Sequence, residues 1–297
     1  MAKVRKAVIP AAGFGTRFLP FTKAVPKELI PLVDKPVIQY VVEEAAAAGI
    51  EEALIIVSTG KEAIMQHFNP VYELENRLAS KGKVELLKEI QDINNLMKIS
   101  YIYQPELNGL GGAVKLAKSF VGNEPFALLL GDTVMASYND KSITEQLLDV
   151  FSTYNSSTVA LEEVPLEKVS SYGIAKGSML SDNVMDIEKM VEKPTVNQAP
   201  SRLAFAARYV FTPEIFTHLE NTLPGKDNEI QLTDAMNMLL HNSQVLGCKI
   251  AGKRHDIGSK MGFLKGSVEY GLKNPLYKEQ FAQFLRETLK KLDNENN

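Results

Sequence analysis

Four short aliphatic runs set the frame of this chain: Val8-Ile9, ALIIV at 53–57, ISYIY at 99–103 and FALLLG at 126–131. Each is followed by glycine or polar residues and then by a stretch with helical spacing. Those stretches are VIQYVVEEAAAA at 37–48, the charged segment from Lys61 to Asn95, GGAVKLAKSF at 111–120 and SITEQLLDVFSTY at 142–154. Strands alternating with helices predict a parallel sheet covered by helices. Runs that are apolar throughout agree, because parallel strands are buried on both faces.

The second half is more mixed. STVALEEV, GIAKG and LAFAARYVFTPEIF read as strands joined by polar loops, and EIQLTDAMNMLLH reads as a helix with Asn228 and Gln231 as an N-cap pair. With no Gly/Ser linker and no repeat, we expect one α/β domain over residues 1–272 that carries a smaller β insertion, and a helical extension over 273–297. In that extension Phe281, Leu285, Leu289 and Leu292 share one helical stripe. The stripe either docks on its own domain or meets a second copy of the chain.

Composition narrows the function. A chain of 297 residues with 45% hydrophobic content can bury a large core without metal or disulfide. Its 33 basic and 36 acidic residues are spread evenly, so no basic field for nucleic acid is expected. Cys248 is the only cysteine, which excludes an intramolecular disulfide and a cysteine-based zinc site. The apolar run after Lys3, Arg5 and Lys6 stops at Pro10, too short for a signal peptide. No run of about 18 apolar residues occurs, so no membrane span is expected and a cytoplasmic location is.

The first aliphatic run opens onto IPAAGFGTRFLPFTKAVPKELIP at 9–31. A glycine loop after a strand presents backbone N–H groups to an anion and lets a phosphate approach closely. A plain turn needs no cations, yet Arg17, Lys23 and Lys27 follow this one. Pro20, Pro26, Pro31 and Pro36 stiffen the segment, which holds Lys27 rigidly, as stabilising a phosphoryl-transfer state requires. For Lys23 an ordinary solvated lysine is an equal reading. Phe18 stands where a dinucleotide fingerprint needs a small residue. STGKEA at 58–63 lacks the first glycine and the Mg-binding hydroxyl of a P-loop and reads as a helix start. Asp132 follows a buried strand, the edge where open α/β sheets bind ligands. There is no GxSxG elbow and no HExxH, and the histidines at 67, 218, 241 and 255 are scattered.

PAAGFGTRFLPFTKAVPKELIPLVDKPVIQY, with YQPELNGLGGAV, LLLGD, SSYGIA, VEKPTVNQAPSRLA, RYVF, NEIQLTDA and HDIGSKMGFLKGSVEY, resembles the bacterial UTP:glucose-1-phosphate uridylyltransferases of the sugar-nucleotide pyrophosphorylase superfamily. The likeness covers most of residues 5 to 272. It implies a Rossmann-like mixed, mostly parallel sheet flanked by helices, a sugar-side β insertion and a C-terminal helix. It also implies Mg²⁺-assisted, in-line transfer of a uridylyl group from UTP to glucose 1-phosphate, with no covalent intermediate, by a homodimer or homotetramer.

Carried onto this sequence, the resemblance places the triphosphate on Ala12, Gly13, Gly15, Thr16 and Arg17, with Lys27 neutralising charge. Gln104 and Gly109 would meet the uracil edge and Ala11 the nucleoside. Asp132 and Asp256 would hold Mg²⁺. Gly173, Glu192 and backbone near Val210 would take the sugar hydroxyls, and Lys193 the sugar phosphate. Pro194 disfavours helix at Lys193 and offers both charged residues from an extended segment. The chain departs from the family pattern at Gly112, where histidine is common, Thr133, where an acid is common, Ala207, where glycine is usual, and His255, where tyrosine is usual. Two readings compete: thymidylyl or cytidylyl transfer, with the base set by the loop from Gln104 to Gly112, and a non-catalytic sensor of sugar nucleotides. Retention of Arg17, Lys27, Asp132, Glu192 and Lys193 together argues against the sensor.

Overall fold

The computed structural model describes residues 3–225 and 228–295. The aliphatic runs become β1 (Lys6–Pro10) and, after the short strands β2 (Pro31–Leu32) and β3 (Lys35–Pro36) and helix α1 (Val37–Ala47), β4 (Glu52–Val57). The charged stretch that follows is three helices, α2 (Glu62–Phe68), α3 (Tyr72–Ser80) and α4 (Val84–Asn94), ahead of β5 (Lys98–Tyr103). Next come α5 (Gly109–Lys115), α6 (Lys118–Val121), β6 (Phe126–Leu129), β7 (Thr133–Ser137) and α7 (Ile143–Tyr154). Helix α7 starts as its sequence predicts. Ser142 accepts from the Glu145 amide while the Glu145 carboxylate accepts from the Ser142 amide, a capping box that contributes about 1 kcal/mol.

The remaining strands are β8 (Ser157–Glu163), β9 (Gly173–Met179), β10 (Val184–Glu192) and β11 (Leu203–Phe211), followed by α8 (Ile215–Asn221) and α9 (Leu232–Leu240). The chain ends with β12 (Val245–Lys249), β13 (Gly252–Asp256), α10 (Lys260–Lys273) and α11 (Lys278–Glu295). LAFAARYVFTPEIF is therefore strand only to Phe211; its last residues open α8, because Pro213 cannot continue the ladder. Helix α9 begins after Gln231 without a side-chain cap, so the expected Asn228 and Gln231 pair does not form. Gln231 instead donates to Glu229 Oε2 at 3.1 Å, and Asn228 has φ 59°.

Nine strands form one sheet in the order β5-β4-β1-β6-β11-β8-β12-β10-β9. The first four are parallel, as their continuous aliphatic character predicts. Beyond β6 the pairings are antiparallel except β12 with β8. The start of β11 also pairs with β9, Leu203 opposite Ala175, so this half of the sheet curls back on itself. An irregularity between Phe205 and Tyr209 lets β11 serve both halves, with Ala207 at φ 59°.

Alternate residues of β1 feed two cores. Ala7 and Ile9 pack with α1, α2 and α7 on one face, and Val8 packs with α5, α8 and α9 on the other. Each fully buried Ile or Leu in these layers contributes about 1.5–3 kcal/mol. A separate two-stranded ribbon pairs β7 with β13 in antiparallel register, Asp256 opposite Thr133. Helix α11 packs its first half on α10, with Phe281 against Gly271, and leaves Phe284 and Leu289 exposed. No helix among the described residues is long and apolar enough to cross a membrane.

Candidate active site

The loop after β1 and the loop after β6 meet at the carboxyl ends of the parallel strands. They enclose a cleft of about 410 Å³ whose lining includes Ala12, Gly13, Arg17, Lys27, Gln104 and Asp132. Gly109, Lys193 and Glu229 line it as well. Eight of the residues singled out in the sequence thus share one space.

Gly15 has φ 66°, and a Cβ there would stand 3.0 Å from Lys27 Cβ and 3.1 Å from Thr22 Cγ2. Both the backbone angle and the close approach require glycine. The Thr22 hydroxyl donates to Gly15 O at 2.8 Å and holds the turn. Lys27 then points back across the loop, its Nζ 2.6 Å from Asp132 Oδ2, with both side chains under 20% exposed. Burial disfavours ionisation of Asp132, yet Lys27 and, more weakly, Arg17 outweigh it and hold the carboxyl below its ordinary range. Burial likewise lowers Lys27, but Asp132 and Glu28 raise it above the usual lysine range. Both groups are charged at neutral pH.

The β7–β13 ribbon brings the second carboxylate in. Over Gly258, the point a Cβ would fill lies 2.9 Å from Asp132 Oδ2, 3.1 Å from Asp256 Oδ1 and 3.1 Å from Arg17 Nη2. Arg17 Nη1 is 3.5 Å from Asp256 Oδ2. Two carboxylate oxygens thus converge beside the cationic loop. Thr133 donates from Oγ1 to Asp132 Oδ1 at 3.3 Å.

Next to Lys193, Glu192 ends β10, and a Cβ on Gly173 would stand 3.0 Å from its Oε2. The same oxygen accepts from Thr233 Oγ1 at 2.7 Å. Lys193 is not extended as Pro194 led us to expect; its φ is 41°, and its amide donates to Tyr172 O at 3.1 Å, turning the chain out of β10. Its ammonium lies 3.5 Å from Glu192 Oε1. Gln104 is buried and donates from Nε2 to Asn108 Oδ1 at 3.2 Å.

The structure does not bring every expected residue to the cleft: Gly173, Glu192 and Asp256 are not among its lining residues. Ala11 is 1% exposed and lies behind the loop. Gly15 and Thr16 shape the loop without lining the cleft. Val210 sits inside the sheet, opposite Ala127 on one side and Thr158 on the other, because β11 is a central strand whose backbone is used by its neighbours. Two charged residues escaped the sequence reading. Lys61 and Glu28, 6% and 1% exposed, form an ion pair under the loop, Lys61 Nζ donating to Glu28 Oε2 at 2.7 Å and to Ala11 O at 2.6 Å. The signal was present in GKEA and PKEL, but neither spacing reveals that the two segments pack together.

Comparison with known proteins places the fold in a family. Residues 6–271 match the Nucleotidyl transferase family. A UTP–glucose-1-phosphate uridylyltransferase of Staphylococcus epidermidis is 46% identical over 99% of this chain and all of its own length. A UTP–glucose-1-phosphate uridylyltransferase 2 of Streptococcus pyogenes serotype M3 is also 46% identical, over 99% of each chain. Among solved structures, a UDP-glucose pyrophosphorylase complexed with UDP-glucose superposes with TM-score 0.85 at 42% identity, over 92% of this chain and 100% of the other. A UTP-bound UGPase from Acinetobacter baumannii superposes with TM-score 0.90 at 38% identity, over 96% and 99%. The α/β fold is that of nucleotidyl transferases, and this chain belongs to that family, among relatives that are UTP–glucose-1-phosphate uridylyltransferases.

Proposed function

We propose that this chain transfers a uridylyl group from UTP to glucose 1-phosphate, giving UDP-glucose and pyrophosphate. A phosphate oxygen of the sugar phosphate attacks the α-phosphorus in line. The bond from that phosphorus to the oxygen bridging it to the β-phosphorus breaks, and pyrophosphate leaves with the electron pair. The attacking phosphate is already anionic, so positioning and charge neutralisation suffice and no protein nucleophile is needed. One observation carries the reading. In a chain 46% identical over full length to named uridylyltransferases, a single cleft joins the glycine loop, Lys27 and Asp132 to Lys193.

In this reading the amides of Ala12 and Gly13, with Gly15 and Thr16 shaping the turn and Arg17 beside it, receive the triphosphate. Lys27 neutralises charge that develops on the phosphates. Gln104 and Gly109 meet the uracil edge, while Ala11 supports the loop from behind. Glu192, beside Gly173, takes sugar hydroxyls, and Lys193 takes the sugar phosphate.

We assign Mg²⁺ to Asp132 and Asp256. Two hard oxygen donors converging over Gly258 suit this cation, which is bound through one or two carboxylates and completes its shell with phosphates and water. Bound there, it supplies charge neutralisation at the phosphates. We place the enzyme in the cytoplasm and assign its self-association, as dimer or tetramer, to the α10–α11 side. There the exposed Phe284 lines an apolar groove of about 610 Å³ with Phe263 and Phe281, and Leu289 further along α11 is exposed as well.

The test is pyrophosphate release by purified protein with Mg²⁺ across UTP, dTTP, CTP, ATP and GTP, each with and without glucose 1-phosphate. Release confined to UTP with the sugar phosphate is expected. Preference for another triphosphate overturns the base assignment, and silence with all five overturns the enzymatic reading.

A further inference from the structure

Beneath the glycine loop lies a polar device to which the transfer reaction gives no role. The turn from β4 into α2 sends two buried side chains to two successive loop carbonyls. Ser58 donates from Oγ to Ala12 O at 2.8 Å, and Lys61 donates from Nζ to Ala11 O at 2.6 Å. Ser58 and Lys61 are each 6% exposed, and neither lines the cleft, whereas Ala12 and Gly13 do.

In a trans peptide the carbonyl of one residue and the N–H of the next point in opposite directions. Drawing Ala11 O toward Lys61 therefore turns the Ala12 amide away from the floor, and drawing Ala12 O toward Ser58 does the same for the Gly13 amide. Neither of these amides has an acceptor among the described residues. A loop with two glycines nearby would otherwise be free to flip these peptides. The same ammonium also clasps both oxygens of Glu28, at 2.9 and 2.7 Å, and Glu28 directly follows Lys27. One buried lysine thus sets the loop's peptide orientation and the seat of the Lys27 segment together.

We propose that Ser58 and Lys61 are positioning residues that aim the Ala12 and Gly13 amides at the triphosphate, a role that rests on the uridylyl-transfer reading above. Lys61 cannot reach a ligand itself. Its effect passes through the Ala11–Ala12 peptide and through Glu28, so it concerns the phosphates and not the base.

The experiment compares binding of UTP, of inorganic pyrophosphate and of uridine, the last by competition, in the full chain and in three variants. Ser58→Ala removes one hydroxyl and leaves no buried charge. Lys61→Met removes the ammonium but strands Glu28. Lys61→Met with Glu28→Gln removes both charges, so its fold is protected if the single variant fails. Ser58→Ala is expected to weaken UTP and pyrophosphate by about threefold to tenfold, and the double variant by about tenfold or more, following the loss of neutral and charged hydrogen bonds. Uridine affinity should stay within about twofold in every variant, since the base contacts lie elsewhere.

Unchanged affinity for UTP and pyrophosphate, or a parallel loss for uridine, overturns the positioning role. Recovery of wild-type pyrophosphate affinity in the double variant overturns it too, because charge compensation alone would then explain the pair. If the unaltered chain binds UTP yet releases no pyrophosphate with glucose 1-phosphate, the functional reading fails instead, and the two failures are distinct.

Discussion

Arg208 Nη2 donates to Glu44 Oε2 at 2.6 Å from inside the protein, with the Arg208 side chain 1% exposed. The guanidinium also donates to Thr133 O at 3.0 Å and to Ala207 O at 3.0 Å. Glu44 in turn accepts from the Thr144 amide and hydroxyl at 3.1 and 2.7 Å. One ion pair therefore ties α1, α7 and β11 to the residue that follows Asp132.

Removing one member leaves the other charge buried. Glu44→Ala should lower unfolding free energy by about 3–5 kcal/mol in urea titration. Replacing both, Glu44→Met with Arg208→Met, should recover part of that loss. A Glu44→Ala chain within about 1 kcal/mol of the parent would mean that the pair is solvated in practice.

How much of this was legible beforehand follows from the residues. Val8-Ile9, ALIIV, ISYIY and FALLLG announced their strands because both faces of each are buried. Asp132 was found because it closes such a strand. Its approach to Asp256 was invisible in the strand pattern, because the ribbon that sets it is made of TVMAS and GKRHD, short and polar enough to read as loop. Lys61, Glu28, Glu44 and Arg208 were hidden for the same reason: long-range pairing of charged side chains leaves no local period. Ala207 was marked only as a departure from the family, and its φ of 59° gives the reason glycine is usual there.

Gly112 makes a different claim. A Cβ at this position would overlap the Asn108 side-chain oxygen, the group to which Gln104 donates. Gly112→Ala should push Asn108 aside, loosen Gln104 and raise KM for UTP about threefold to tenfold, with kcat much less affected. The added variant Asn108→Ala should not rescue it, because Gln104 still lacks its partner. Steady-state kinetics with UTP and CTP would show whether base discrimination falls as well, and unchanged kinetics would detach Gln104 from the base.

His67 supplies a pH test away from the cleft. Its ring Nε2 lies 2.9 Å from Gln39 Oε1, which makes Nε2 the protonated donor of the neutral ring. Burial, opposed by Glu43, pushes its pKa below the ordinary value of 6.5. The folded state thus prefers the neutral ring. The stability this confers is full above pH 6.5 and is lost as pH falls through the lowered folded value. His67→Gln keeps a donor toward Gln39 and removes the titration. Its stability relative to the parent should therefore rise on acidification below pH 6.5, by at most about 1.4 kcal/mol per pH unit. Parallel curves from pH 7 to 5 would show that His67 titrates equally in both states.

Lys27 carries the sharpest catalytic prediction. Its ammonium is held by Asp132 on a segment braced by Pro20, Pro26 and Pro31, so it does not need the ligand to organise it. A cation fixed in advance acts most strongly on charge that develops during transfer, not on the triphosphate as it arrives. Lys27→Met should therefore lower kcat at least about 100-fold while changing the UTP dissociation constant by no more than about threefold. Stability measured on the same sample separates this from unfolding, since the variant leaves Asp132 without its cation. Equal losses in turnover and in UTP binding would make Lys27 a ground-state ligand and shift the stabilising role to Arg17 or Lys193.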